Sequence, residues 1–169
     1  MDAIDKFDSR KNDYQTIIEY YKSLFEYVDL FHFNSSVTET VYRHYLTDIK
    51  GKVVPRYTAS DLEEIYKNTS LVIVPSQWYE TFSFVTLEAL SYGVPVLVSN
   101  KVGTKSIVAN YDSSFIFNTK KELKDKLEMI MQNRSDLVSY HNRILSLPWN
   151  HSMEEHSNEI GKEVYGKSF

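Results

Sequence analysis

Two uninterrupted apolar runs with one helical pattern between them constrain the fold of this chain more than any other feature. Leu71-Val72-Ile73-Val74 ends at Pro75-Ser76, and Val94-Pro95-Val96-Leu97-Val98 follows Gly93. A strand covered on both faces reads as such a run, without the alternation of a half-exposed strand. Residues 83–92 carry helical spacing and stop at Gly93, a natural residue for a helix C-terminus. Pro95, near the start of its strand, costs no interior ladder bond.

The alternation extends to both sides. The N-terminal stretch sets Ile17, Ile18, Tyr21, Leu24, Phe25 and Val28 at helical spacing, and Leu30-Phe31-His32-Phe33 reads as a buried strand. Asn34-Ser35-Ser36 offers caps for a helix carrying Val37, Val41, Tyr42 and Tyr45. Lys52-Val53-Val54 is a short strand between Gly51 and Pro55, and Ser60 opens a capping box with Glu63 ahead of Leu62, Ile65 and Tyr66. Beyond the centre the pattern predicts a short helix at 105–109, a strand at Phe115-Ile116-Phe117, and helices at 120–132 and 135–146. A break at Pro148-Trp149-Asn150 precedes a last helix at 153–165. Strands alternating with helices of roughly ten residues predict an α/β chain built on a doubly wound parallel sheet.

Composition removes several functions. The 169 residues include no cysteine, which excludes a disulfide scaffold, a thiolate metal site and a cysteine nucleophile. Nineteen basic residues against 23 acidic ones give a net charge of −4, so no basic field draws in nucleic acid. No apolar stretch approaches the roughly 20 residues of a membrane span. The first 13 residues are polar and acidic, unlike a secretory signal. The expected address is the cytoplasm, with peripheral attachment to a membrane left open. His151 and His156 stand five apart, off the spacing that puts two ligands on one helical face, and no metal site is expected.

In an open parallel sheet, ligands bind at the carboxyl ends of the strands. The segment to read is therefore the loop after Val74. Glu80 stands at its end, and the amides of Phe82, Ser83, Phe84 and Val85 would be the unpaired first N–H groups of the following helix. Such a terminus carries about half a positive charge and suits a phosphate. Glu88 lies roughly 7.5 Å further along the axis, by the 1.5 Å rise per residue, with its side chain leaning back toward the N-terminus. One ligand could touch Glu80 at one end, the amides with a phosphate, and Glu88 with a diol. By spacing alone, two glutamates eight apart among 23 acids are more often solvated helix residues than a site.

The run from Val74-Pro75-Ser76 through Glu80-Thr81-Phe82-Ser83-Phe84-Val85-Thr86-Leu87-Glu88 to Gly93-Val94-Pro95, with Val102-Gly103 and Ile107-Val108 after it, resembles family 4 of the retaining glycosyltransferases. That resemblance implies one half of a two-domain GT-B fold, a Rossmann-like domain with a glutamate–seven residues–glutamate signature. It implies that Glu88 grips the ribose hydroxyls of a nucleotide-sugar, that Glu80 faces the transferred sugar, and that the amides of Phe84 and Val85 hold the distal phosphate. Ser83 takes a position that is often glycine in the family. Tyr57 and Thr58 would lie near the base pocket, and Trp78 and Tyr79 either flank the sugar or shield the loop. The donor is expected to be a UDP-sugar acting as substrate, with no cofactor and no divalent ion required. The acceptor, a glycan, a lipid-linked molecule or a protein, would sit against a second domain.

The resemblance also implies two cations for the leaving diphosphate, normally on a glycine-arginine strand and a lysine just after it. Here Arg10 and Lys11 stand ahead of the first helix without such a strand and are the candidates for that role. Residues 1–56 then read as a helix and strand segment, either a remnant of the acceptor domain or the start of the donor domain, and 57–169 as the donor-binding domain with its C-terminal helices. On that reading the 169 residues bind donor but are inactive in transfer by themselves, and the face left for a partner domain favours a homo-oligomer. The rival readings are a non-catalytic oligomerising module derived from a glycosyltransferase, and an unrelated doubly wound protein that binds a phosphorylated metabolite.

Overall fold

A computed structural model describes residues 57–148 throughout, together with Glu19–Tyr20, Ser23–Leu24 and the backbone of Leu30–His32 and Lys52–Val54. The expected helix after Asn34, the last helix at 153–165 and the turn at Trp149-Asn150 lie outside these residues. The chain divides into two compact units, Met1–Ile65 with Asn118–Gln132, and Tyr66–Phe117 with Asn133–Phe169.

In the first unit, β1 (Leu30–His32) pairs in parallel with β2 (Lys52–Val54), Phe31 opposite Val53. Tyr20 and Leu24, four apart in helical backbone, are both buried, and the Lys120 ammonium stands 4.7 Å from the Tyr20 ring centroid. The cap expected at Ser60 forms two residues earlier. The Asp61 carboxylate accepts from the Thr58 amide at 2.8 Å and the Thr58 hydroxyl at 2.7 Å, which starts a single 3₁₀ turn, Ala59–Asp61, ahead of α1 (Leu62–Lys67). Thr58 and Asp61 have the same spacing as Ser60 and Glu63, and the shorter acid closes the box. These bonds hold the Asp61 carboxyl below the usual carboxylate range. Helix α4 (Lys120–Gln132) keeps its expected bounds and buries Leu123 and Leu127.

The second unit is a three-stranded parallel sheet flanked by helices. β3 (Val72–Val74), β4 (Val96–Ser99) and β5 (Ile116–Phe117) lie side by side in that order, with Ile73 opposite Leu97 and Val98 opposite both Val74 and Ile116. Helix α2 (Phe84–Ser91) packs on β3 and β4, α3 (Lys105–Asp112) on β4 and β5, and α5 (Ser135–Ser146) on α3. β4 is the central strand and all four of its residues are buried. β3 departs from expectation, since only Val74 is fully buried. It has a strand neighbour on one side alone among the described residues, which leaves Val72 and Ile73 half-exposed. The strand after Gly93 starts two residues later than its apolar run, at Val96. Pro95 still contributes its carbonyl, which accepts from the Val72 amide at 2.9 Å. Phe115 falls in a 3₁₀ turn, Ser113–Phe115, whose Ser114 amide is capped by the Asp112 carboxylate, so β5 is left with two residues.

Two contacts close this unit. Tyr140 of α5 is fully buried against Phe115, ring centroids 4.5 Å apart, while the Arg143 guanidinium pairs with Asp112 and donates to the Tyr111 carbonyl at 2.9 Å. At the other end, Gly93 terminates α2 with φ 76°; its amide bonds Leu90 and the Val94 amide bonds Ala89, both at 2.9 Å. That is the left-handed C-terminal motif only glycine enters without strain. His141 Nδ1 lies 2.7 Å from the Gly93 carbonyl as its hydrogen-bond donor. Gly93→Ala should lower stability by about 1–2 kcal/mol from the backbone conformation alone, read as a fall in the denaturant midpoint at constant slope. A methyl there would also meet Leu145 Cδ2 at 3.1 Å.

Candidate functional site

The loop joining β3 to α2 is stitched to the turn after β4. Glu80 forms a single parallel bridge with Val102: its amide donates to the Lys101 carbonyl at 3.1 Å and its carbonyl accepts from the Gly103 amide at 2.9 Å. The Lys101 ammonium reaches back to the Gln77 carbonyl at 2.6 Å, and the Gln77 amide group donates to the Pro75 carbonyl at 3.1 Å. Gly103 is required by proximity. A Cβ at that position would stand 2.0 Å from the Thr81 carbonyl oxygen, inside any real contact distance. The Glu80-Thr81 backbone is therefore set by the neighbouring turn as well as by its own sequence.

Each glutamate is held by a hydroxyl. Ser76, buried two residues past β3, donates to Glu80 Oε1. The Tyr66 hydroxyl donates to Glu88 Oε2 at 3.2 Å, and the buried Tyr66 ring stacks on Tyr92 with centroids 5.2 Å apart. Glu80 precedes helix α2 and Glu88 lies on it, with the first turn of the helix between them. Its buried stripe is Thr86, Ala89 and Leu90, so Glu88 falls beside the core face and is half-buried. The cap position is Ser83, extended at φ −126° and ψ 105°, and its hydroxyl makes no capping bond. The first turn thus presents amides that no side chain among the described residues caps, with the partial positive charge of a helix start.

The rim of this loop is aromatic. Tyr79 is 86% exposed and Phe84 71%, with Trp78 and Phe82 about half in solvent; Phe82 and Phe84 meet edge to face at 5.1 Å. The charges are few. Residues 68–104 carry two acids, Glu80 and Glu88, and one cation, Lys101.

Of the residues chosen from sequence, Glu80, Phe82, Ser83, Phe84, Val85 and Glu88 all fall on this loop and the first turns of α2. Tyr57 and Thr58 belong to the other compact unit, where the Thr58 hydroxyl and amide both engage Asp61. Arg10 and Lys11 lie outside the described residues. Ser76, Tyr66, Lys101 and Gly103 were not among the chosen residues. Ser76 and Gly103 stand within the motif run, but their contacts join segments 4 and 22 residues apart. Spacing along the chain reveals no such contact.

The family model for glycosyl transferases group 1 matches residues 42–144, well over half of the chain and including every element of this loop. The chain belongs to that family. A protein of Methanocaldococcus jannaschii named an uncharacterized glycosyltransferase is 43% identical over 47 residues, which is 28% of this chain and 12% of the relative. The chain therefore aligns with about an eighth of that relative's length. Within the family match stand both glutamates, the uncapped turn of α2 and Gly103; Arg10 and Lys11 precede it. No helix among the described residues is long and apolar enough to cross a membrane.

Proposed function

We propose that this chain binds the nucleotide-diphosphate sugar donor, a UDP-sugar, for retaining glycosyl transfer of the family 4 type. The observation that carries the reading is the uncapped first turn of α2 lying between two hydroxyl-tethered carboxylates. Glu88 accepts from two adjacent ribose hydroxyls, in charge-assisted bonds roughly twice as strong as neutral ones. The amides of Phe84 and Val85 meet the distal phosphate. Glu80, fixed by Ser76, keeps Oε2 without a protein hydrogen bond among the described residues and turns it toward the transferred sugar.

When the glycosidic bond to the diphosphate breaks, negative charge collects on the leaving group. Donors already aimed at that charge stabilise the transition state without reorganising. Acceptor binding, to a glycan, a lipid-linked molecule or a protein, belongs in this proposal to the whole protein. Membership of a glycosyltransferase family favours it over the oligomerising module.

Calorimetric titration with UDP tests the reading. The wild-type chain should bind, and Glu88→Ala should bind about tenfold to a hundredfold more weakly, the loss of hydrogen bonds to a charged acceptor. Absence of binding at millimolar UDP in both proteins would refute it.

A further inference from the structure

We infer that Lys101 supplies the positive charge that meets the distal phosphate of the donor, a reading that rests on the donor-binding proposal above. Two carboxylates beside a diphosphate repel it unless a cation stands among them, and helix dipoles alone contribute only a partial charge. Lys101 is the cation of residues 68–104, which contain both glutamates, the loop and α2; Lys67 and Lys105 flank that stretch, and Lys105 donates to the Asn100 carbonyl of its own turn, whereas Lys101 donates into the loop itself.

Its position follows from both ends of the residue. The Lys101 carbonyl accepts from the Glu80 amide at 3.1 Å, and its ammonium donates to the Gln77 carbonyl at 2.6 Å. The side chain therefore runs along the loop between Gln77 and Glu80, at the carboxyl edge of the sheet, where parallel α/β folds bind ligands. Glu80 is the acid proposed to face the sugar, and the phosphate nearest the sugar is the distal one. The ammonium stands at the Gln77 carbonyl, on the stretch of loop that leads into Glu80, and so belongs with the sugar and its phosphate rather than with the ribose assigned to Glu88.

The ammonium is available for the task. It carries three N–H donors, and among the described residues it forms one hydrogen bond, to Gln77, and no ion pair with a carboxylate. The half-buried stem and the Gln77 bond hold the group in place before ligand arrives. Preorganised charge of this kind favours the diphosphate over a nucleotide that lacks the distal phosphate.

The test compares UDP with UMP on the full chain, as wild type, Lys101→Met and Lys101→Arg, after each is shown by thermal unfolding to be folded. Lys101→Met should weaken UDP binding about tenfold, while UMP binding changes by less than about threefold, the loss being one charged hydrogen bond to the distal phosphate. Lys101→Arg should restore most of the UDP affinity, because it returns the charge. Should Lys101→Met fail to fold, Lys101→Gln takes its place in the same comparison. UDP affinity within twofold of wild type in Lys101→Met overturns the inference. Equal losses for UDP and UMP overturn it as well, since they mark a residue that only shapes the loop. A wild-type chain that binds neither nucleotide overturns the donor-binding reading itself.

Discussion

Gly103→Ala is expected to remove measurable UDP binding and to lower the stability of the chain by about 2–4 kcal/mol. The added methyl would sit 2.0 Å from the Thr81 carbonyl oxygen and 2.9 Å from its carbon, and both atoms are backbone. No rotamer change relieves that overlap, so the two segments must separate. Separation breaks the bond from the Gly103 amide to the Glu80 carbonyl and carries Glu80 away from Ser76. A displacement of about 1 Å at a reacting centre can cost a hundredfold. Chemical denaturation reads the stability and calorimetry reads the binding. A variant with wild-type values for both would mean that the turn after β4 does not set the loop.

Leu97→Ala should have the largest effect on stability alone, about 2–5 kcal/mol. Leu97 lies in the middle of β4, fully buried, with Ile73 as its strand neighbour. The neighbouring Val96 and Val98 are buried to the same degree. Walls this rigid cannot collapse onto the space left by three carbons, and the cavity adds to the lost transfer free energy. Single domains commonly hold 5–15 kcal/mol in all, so the change approaches half of the reserve. The urea midpoint should fall at an unchanged slope. A shift below about 0.5 kcal/mol would show that β4 is not the centre of the packing, as a surface substitution gives effects of that size.

The second unit was largely legible in the residues because its signals are local. The run Val94-Pro95-Val96-Leu97-Val98 lacks alternation because β4 is covered throughout, and Gly93 marks the one left-handed residue of the described chain. The run Leu71-Val72-Ile73-Val74 looks the same yet makes a half-exposed strand, since hydrophobicity reports what a residue tolerates and not how many neighbours it finds. At the site, Glu80 and Glu88 could be chosen because the family motif names them. Their hydroxyl partners could not. The bond from Tyr66 to Glu88 spans 22 residues, and that from Lys101 to Gln77 spans 24. Contacts of that reach depend on the path of the backbone, which no periodicity encodes. The Thr58 cap was missed for a different reason: two overlapping pairs of equal spacing compete there, and the shorter acid wins.

The bridge between Glu80 and Val102 divides the nine residues from Pro75 to Ser83 into parts of unequal freedom. Trp78 and Tyr79 project from a tip that meets mostly water, whereas Glu80 and Thr81 are gripped from the side. Amino-acid changes at the tip can accumulate across a lineage without disturbing the acid that follows. A connection built this way can exchange the side chains of its outer end while the carboxylate behind them keeps the position that the adjoining turn imposes.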